Sequence, residues 1–201
     1  TAYGTVSENG EVLYIPKTVK IADGLNFEYD GYYYKSLKKV VVSKENKYYK
    51  SVNGVLYNKK GTKLVVYPAK KSGSTYKLPS TVNYIGCWAF MGNESLKTID
   101  ENVTKIDEGA FKGTKIEHIE LSGGKADAGK KLKLMVEAFA QCSNLKEITG
   151  GYRVSETGWM TFELCKNLQN MDIGKGLEKL DYSFGGCVSL NKICLSDKLK
   201  D

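Results

Sequence analysis

A phenylalanine returns along the C-terminal two thirds of the chain at intervals that suit a stacked repeat. Five segments align on it: IGCWAFMGNESLKTI, IDEGAFKGTKIEHIEL, LMVEAFAQCSNLKEI, TGWMTFELCKNLQNMDI and LDYSFGGCVSLNKICL. The aligned residues Phe90, Phe111, Phe139, Phe162 and Phe184 lie 21, 28, 23 and 22 residues apart. A period in the twenties is the mark of a solenoid. Six residues after the Phe comes Leu96, Leu145, Leu168 or Leu190, with Ile116 five after it in the second unit; three further on lies Ile99, Ile119, Ile148, Met171 or Ile193. Val82 and Ile85, then Val103 and Ile106, precede their Phe by eight and five.

One such unit cannot fold alone. Burying four or five large apolar side chains gives on the order of 10 kcal/mol gross, whereas fixing about 22 backbones costs on the order of 20 to 40 kcal/mol. Stacked units share their faces and exchange backbone hydrogen bonds, so stability becomes a sum over repeats and their neighbours. The Leu-x-x-Ile-x-Leu stretch reads as a short strand, and the Ala-Phe stretch as a helical turn or compact bend on the opposite wall.

These units resemble the BspA-type leucine-rich repeat of bacterial surface proteins. The best copy is LPSTVNYIGCWAFMGNESLKTI, Leu78 to Ile99, with Asn93 where the pattern has Cys; Cys142, Cys165 and Cys187 fill that place three residues after their Phe. Thr157 replaces an expected Ile, Leu180 arrives one residue early, and SGGKADAGKK is inserted after the second unit. The resemblance implies a leucine-rich-repeat solenoid of the α/β class, mostly short parallel strands with short helical turns. About five units are expected over residues 74–201. SDKLKD follows a strand, so the stack is expected to continue beyond Asp201.

Residues 1–73 read as a β-rich N-terminal cap with degenerate repeats and hairpins. IPKTV echoes LPSTV, and Phe27 follows Val19 by eight, as Phe90 follows Val82. FEYDGYYY carries an Asp-Gly hairpin signal, and Asn53-Gly54 with Lys60-Gly61 around VLYN suggests a second hairpin. SLKKVVVS alternates beside it.

Chemistry is sparse. The five Cys form no Cys-x-x-Cys pair and the single His has no partner at zinc spacing, so no metal or cofactor is expected. The cysteines read as reduced inward packing residues. No phosphate loop, dinucleotide fingerprint or nucleophile elbow occurs. The net charge of +7 rests almost wholly on scattered Lys, and Arg153 is the one arginine. Nucleic-acid readout favours clustered Arg, so no nucleic-acid partner is expected. No apolar run approaches the roughly 18 residues of a membrane span, and no signal segment is readable in this chain.

A non-enzymatic, monomeric recognition or adhesion module is therefore expected. From the resemblance it is secreted or displayed on a bacterial cell surface and binds a protein or glycan of the host or of neighbouring cells. The alternative is a structural spacer or accessory module of a larger secreted protein, carbohydrate-associated in one version. Outward strand residues are the candidate binding positions, because they are free of core duty. They form two rows: Thr98, His118, Glu147, Asn170, Lys192, and Asp100, Glu120, Thr149, Asp172, Cys194. The competing site is the Tyr-rich stretch at Tyr32, Tyr33 and Tyr34, which has better aromatic anchors.

Overall fold

The computed structural model describes residues 4–20, 35–100, 103–121, 130–195 and 197–200. Phe27, the FEYDGYYY stretch and Tyr32, Tyr33 and Tyr34 lie outside the described residues. Seventeen short strands follow one another: β1 (Thr5–Val6), β2 (Val12–Ile15), β3 (Lys39–Val42), β4 (Tyr49–Val52), β5 (Val55–Asn58), β6 (Lys63–Val66), β7 (Thr75–Lys77), β8 (Tyr84–Ile85), β9 (Thr98–Asp100), β10 (Lys105–Ile106), β11 (His118–Glu120), β12 (Leu132–Leu134), β13 (Glu147–Thr149), β14 (Val154–Thr157), β15 (Asn170–Asp172), β16 (Lys179–Leu180) and β17 (Lys192–Cys194).

From β6 onward the strands alternate strictly between two walls. Even-numbered strands β6 to β16 run parallel in one sheet and odd-numbered strands β7 to β17 in another. Each even and odd pair is one coil, and the chain is a β-solenoid of about seven turns. The antiparallel β4 and β5 extend the even sheet, joined by a tight turn in which Asn53 and Gly54 both have positive φ, 50° and 78°. β1, β2 and β3 form a separate three-stranded sheet. β3 pairs in parallel with β2 and not with the β5–β6 hairpin, the neighbour that its sequence alternation suggests.

A stack of aromatic rings fills the solenoid. Tyr67, Phe90, Phe111, Phe139, Phe162 and Phe184 follow one another with centroids 4.7 to 5.6 Å apart, and the five Phe rings are parallel to within 9°. Ile85, Ile106, Leu96, Ile116, Leu145 and Leu168 pack around it, each fully buried.

The wall that carries the Phe is not helical, which corrects the expected α/β class. Among the described residues the helical segments are two three-residue 3-10 turns, Gly151–Arg153 and Gly174–Gly176. The reason lies in where the N–H groups go. In four successive coils the residues two before the Phe, at the Phe and two after it donate to the next coil, as in Trp88 to Glu108, Phe90 to Ala110 and Gly92 to Lys112. The same triplet recurs at residues 109, 111 and 113, at 137, 139 and 141, and at 160, 162 and 164. The residues between them close turns onto carbonyls three back, as Met91 does onto Trp88. N–H groups committed to a neighbouring coil cannot close a helix. The geometry requires left-handed backbone at both flanking positions: φ is 57° at Trp88, 53° at Glu137, 60° at Gln141, 56° at Met160 and 57° at Leu164, with glycine at 92, 109 and 113.

Three residues after the Phe a short donor, buried at Asn93, Cys142 and Cys165 and half-buried at Cys187, ties adjacent coils. Cys142, Cys165 and Cys187 each place Sγ 3.1 Å from the carbonyl of the preceding coil's Phe. Asn93 donates to Pro68 and Ala69 and accepts from the Ser95 and Leu96 N–H groups. The slot thus selects a short hydrogen-bond donor, which a purely apolar reading of these cysteines does not capture. Asn46 does the same between Pro16, Val19, Tyr48 and Tyr49. It marks a further coil in which Ser43 takes the place of the Phe, since the Asn46 N–H closes onto Ser43 as that of Asn93 closes onto Phe90.

Candidate functional site

The odd-numbered sheet brings the outward rows together. Register pairs Thr75 with Thr98, His118 with Glu147, Glu147 with Asn170 and Asn170 with Lys192. It pairs Lys77 with Asp100, Asp100 with Glu120, Glu120 with Thr149 and Asp172 with Cys194. Between the rows Ile99, Ile119, Ile148 and Met171 point inward and are buried. β7 adds Thr75 and Lys77, which sequence reading missed because that coil has Tyr67 in place of Phe. Among the described side chains, Glu120, Glu147 and Asp172 against Lys77 and Lys192 leave about one net negative charge on this face, within a chain of +7.

Part of the face is already organised. The Thr149 hydroxyl donates to Glu120 Oε2 at 2.7 Å, and its oxygen lies 3.3 Å from His118 Nε2. Nδ1 of the same ring lies 3.5 Å from Glu147 Oε2. These groups lie on an open sheet rather than in a cleft, and the cavities at Trp88 and at Arg153 are on other parts of the surface.

The even-numbered sheet offers a different outward row: Lys63, Tyr84, Lys105, Lys133, Glu156 and Lys179. Lys63 and Lys105 sandwich the Tyr84 ring, their Nζ atoms 4.4 and 5.0 Å from its centroid. Lys105, Lys133 and Lys179 are answered by Asp107, Glu156 and Asp181 at 3.4, 2.8 and 3.7 Å. This row is compensated and offers no continuous cationic strip to a polyanion. Beside it, burial first and then the Asp107 carboxylate push the Cys87 thiol up to about 11. It is no nucleophile at neutral pH. Among the described residues no cluster of three or more His, Cys, Asp or Glu could hold a metal ion, and no helix is long and apolar enough to cross a membrane.

Sequence reading also missed a cavity of about 250 Å³ on the bend wall, lined by Lys35, Tyr67, Lys70, Trp88, Met91 and Glu94. The Trp88 indole lies flat on Gly109, where a Cβ would come within 2.0 Å of the ring. Lys70 and Glu94 pair at 2.8 Å at its edge. The cavity depends on contacts between coils, and no local motif marks it.

The family model described as the BspA type leucine rich repeat region matches this chain in six copies, over residues 68–132 and 132–201. Three solved structures are similar. A leucine-rich repeat protein from Eubacterium ventriosum is 26% identical with a TM-score of 0.68, over 94% of this chain and 56% of that one. A leucine rich cell surface protein from Faecalibacterium prausnitzii is 23% identical with a TM-score of 0.73, over 92% and 48%. The pneumococcal vaccine antigen PcpA is 24% identical with a TM-score of 0.57, over 94% and 44%. The chain spans about half the length of these proteins. No curated protein matches it significantly.

Proposed function

The chain belongs to the BspA-type leucine-rich repeat family, and from that premise we propose that it is a non-enzymatic recognition module of a bacterial cell surface, binding a protein or glycan partner through the odd-numbered sheet. One observation carries this reading: six parallel strands in register present two rows of polar side chains that have no core duty. A rigid scaffold with replaceable outward residues suits recognition, because those residues change without unfolding the stack. The cell-surface description of the Faecalibacterium protein supports the location.

The charge and composition of the face set the kind of partner. It is polar and mildly acidic, without the Trp, Tyr and Arg anchors of tight interfaces. A basic or polar partner binds it weakly, and multiple copies in a longer protein strengthen the attachment. An array of matrix proteins and glycans, probed with the purified chain at low and physiological salt, tests this. The expected result is binding to basic partners that weakens as salt screens the carboxylates. Silence of the array at low salt favours the alternative, a spacer or accessory module of a longer secreted protein.

A further inference from the structure

On the bend wall, the coils of Phe162 and Phe184 present two uncovered aromatic rings. Trp159 is 50% exposed and Tyr182 69%. The Met160 N–H donates to the Tyr182 carbonyl at 2.9 Å, so Tyr182 lies beside the residue that follows Trp159, one coil on. Among the described residues neither the Trp159 indole N–H nor the Tyr182 hydroxyl has a hydrogen-bond partner, and no cation stands over either ring. The place of Tyr182 in the Phe90 coil is closed by contrast: the Trp88 ring lies on Gly109, and Lys112 Nζ stands 5.4 Å from its centroid.

Beside these rings the surface has a floor without a side chain. A Cβ on Gly185 would stand 3.6 Å from Tyr182 Cε1 and 3.8 Å from Glu163 Cγ, so the glycine leaves an open gap with the phenol ring on one side and the carboxylate arm on the other. One residue further, Leu164 Cδ2 lies over Gly186, 2.7 Å from where its Cβ would be, and forms an apolar rim. The Glu163 carboxylate has no ion pair or hydrogen bond among the described residues. On the earlier coils the corresponding stretch is compensated, since Lys70 takes Glu94 at 2.8 Å and Lys112 takes Glu137 at 2.5 Å. The patch thus joins apolar ring faces to a free carboxylate and two free donors.

We propose that this patch binds a neutral sugar ring of a glycan, with the C–H face of the sugar on Tyr182 and Trp159 and its hydroxyls on Glu163. A sugar supplies both things the patch lacks: apolar C–H surface for the aromatic faces and O–H donors for a carboxylate, whose hydrogen bonds are about twice as strong as those between neutral groups. An apolar peptide side chain would bury the Glu163 carboxylate without a donor, which is costly. An acidic or sulfated glycan meets like charge at Glu163 and Asp181. An organic cation is held best by rings that enclose it, whereas these rings share one open wall. Parallel coils lie about 4.8 Å apart, so contacts from both coils fall under one or two sugar rings. The site is on the bend wall, away from the odd-numbered sheet, and stands or falls separately from the recognition face.

The test is a titration of the ¹⁵N-labelled chain with three neutral disaccharides: cellobiose, N-acetyllactosamine and mannobiose. Saturating shifts at the Trp159 indole N–H and at the amides of Glu163, Tyr182 and Gly185 are expected with at least one of them, with the same apparent affinity at low and at physiological salt. Trp159→Ala and Glu163→Gln change side chains outside the core, and each should weaken that affinity about tenfold, while Glu120→Lys on the odd-numbered sheet leaves it unchanged. Absence of saturation at these groups with all three sugars overturns the site, as do shifts that persist unaltered in Trp159→Ala. The same shifts at lower concentrations of tetramethylammonium or of glucuronate contradict a neutral sugar as the ligand. Sugar binding that is lost in Glu120→Lys and kept in Trp159→Ala upholds recognition by the odd-numbered sheet and overturns this patch.

Discussion

Replacing Gly113 by Ala isolates the backbone conformation that replaces a helix on the bend wall. Gly113 has φ of 69°, and a Cβ built on it meets no atom within 4 Å, so the substitution introduces no contact with a neighbour. What remains is the cost of a left-handed L-residue, about 1 to 2 kcal/mol, offset by about 0.4 to 1 kcal/mol from the lower entropy of the unfolded alanine chain. The net is a destabilisation of about 0.5 to 1.5 kcal/mol. Gln141 occupies the equivalent place after Phe139, with φ of 60° and an exposed side chain. Gln141→Gly removes the same strain and should stabilise by about 0.5 to 1 kcal/mol. For a chain of this size the two variants move the melting temperature in opposite directions by roughly 1 to 4 °C each. Urea unfolding checks the sign independently, with a constant m-value showing that the cooperative unit is unchanged. If Gln141→Gly destabilises as much as Gly113→Ala does, the left-handed bends are not the conformational cost described.

Three further outcomes follow from the packing. Phe111 lies between Phe90 at 4.7 Å and Phe139 at 5.0 Å, so Phe111→Ala should cost about 3 to 5 kcal/mol by denaturant unfolding. Burial alone would raise the Asp107 carboxyl, but hydrogen bonds from Tyr84, the Glu108 N–H and Cys87, with Lys105 nearby, outweigh it and hold it below its usual value. Its stabilisation is therefore present above the unfolded pKa of about 4 and lost as pH falls through the lower folded value, and Asp107→Asn should flatten that acid limb of the melting curve. Cys142 and Cys165, fully buried, should resist alkylation in the folded chain and react in denaturant, as mass spectrometry reads directly.

The inward ladder was legible because an apolar residue at a fixed offset from each Phe has one interpretation once five copies are aligned. The outward rows followed from the strand period of two, and the register of β9 to β17 sets them side by side. The bends were not legible. Their left-handed positions are filled by Trp88, Glu137, Gln141, Met160 and Leu164 as readily as by glycine, because the inter-coil hydrogen bonds impose the conformation whatever the side chain. The first coils were obscured for a related reason: Ser43 and Tyr67 stand where Phe was sought, whereas Asn46, three residues after Ser43, carries the signal that a search for Asn or Cys would have found. The Arg153 guanidinium reaches the Val103 carbonyl, 50 residues away in sequence, and no local pattern announces such a meeting.

Recognition through the odd-numbered sheet is tested most directly by surface plasmon resonance on a partner obtained from the array. Wild-type chain is compared with the Glu120→Lys/Asp172→Lys double variant and with Lys133→Glu on the other sheet. The double variant is expected to lose about tenfold or more in affinity, with a larger loss at low salt, while Lys133→Glu is unchanged. Unchanged affinity in the double variant would contradict recognition by this sheet and move the site to the Tyr-rich stretch at Tyr32, Tyr33 and Tyr34.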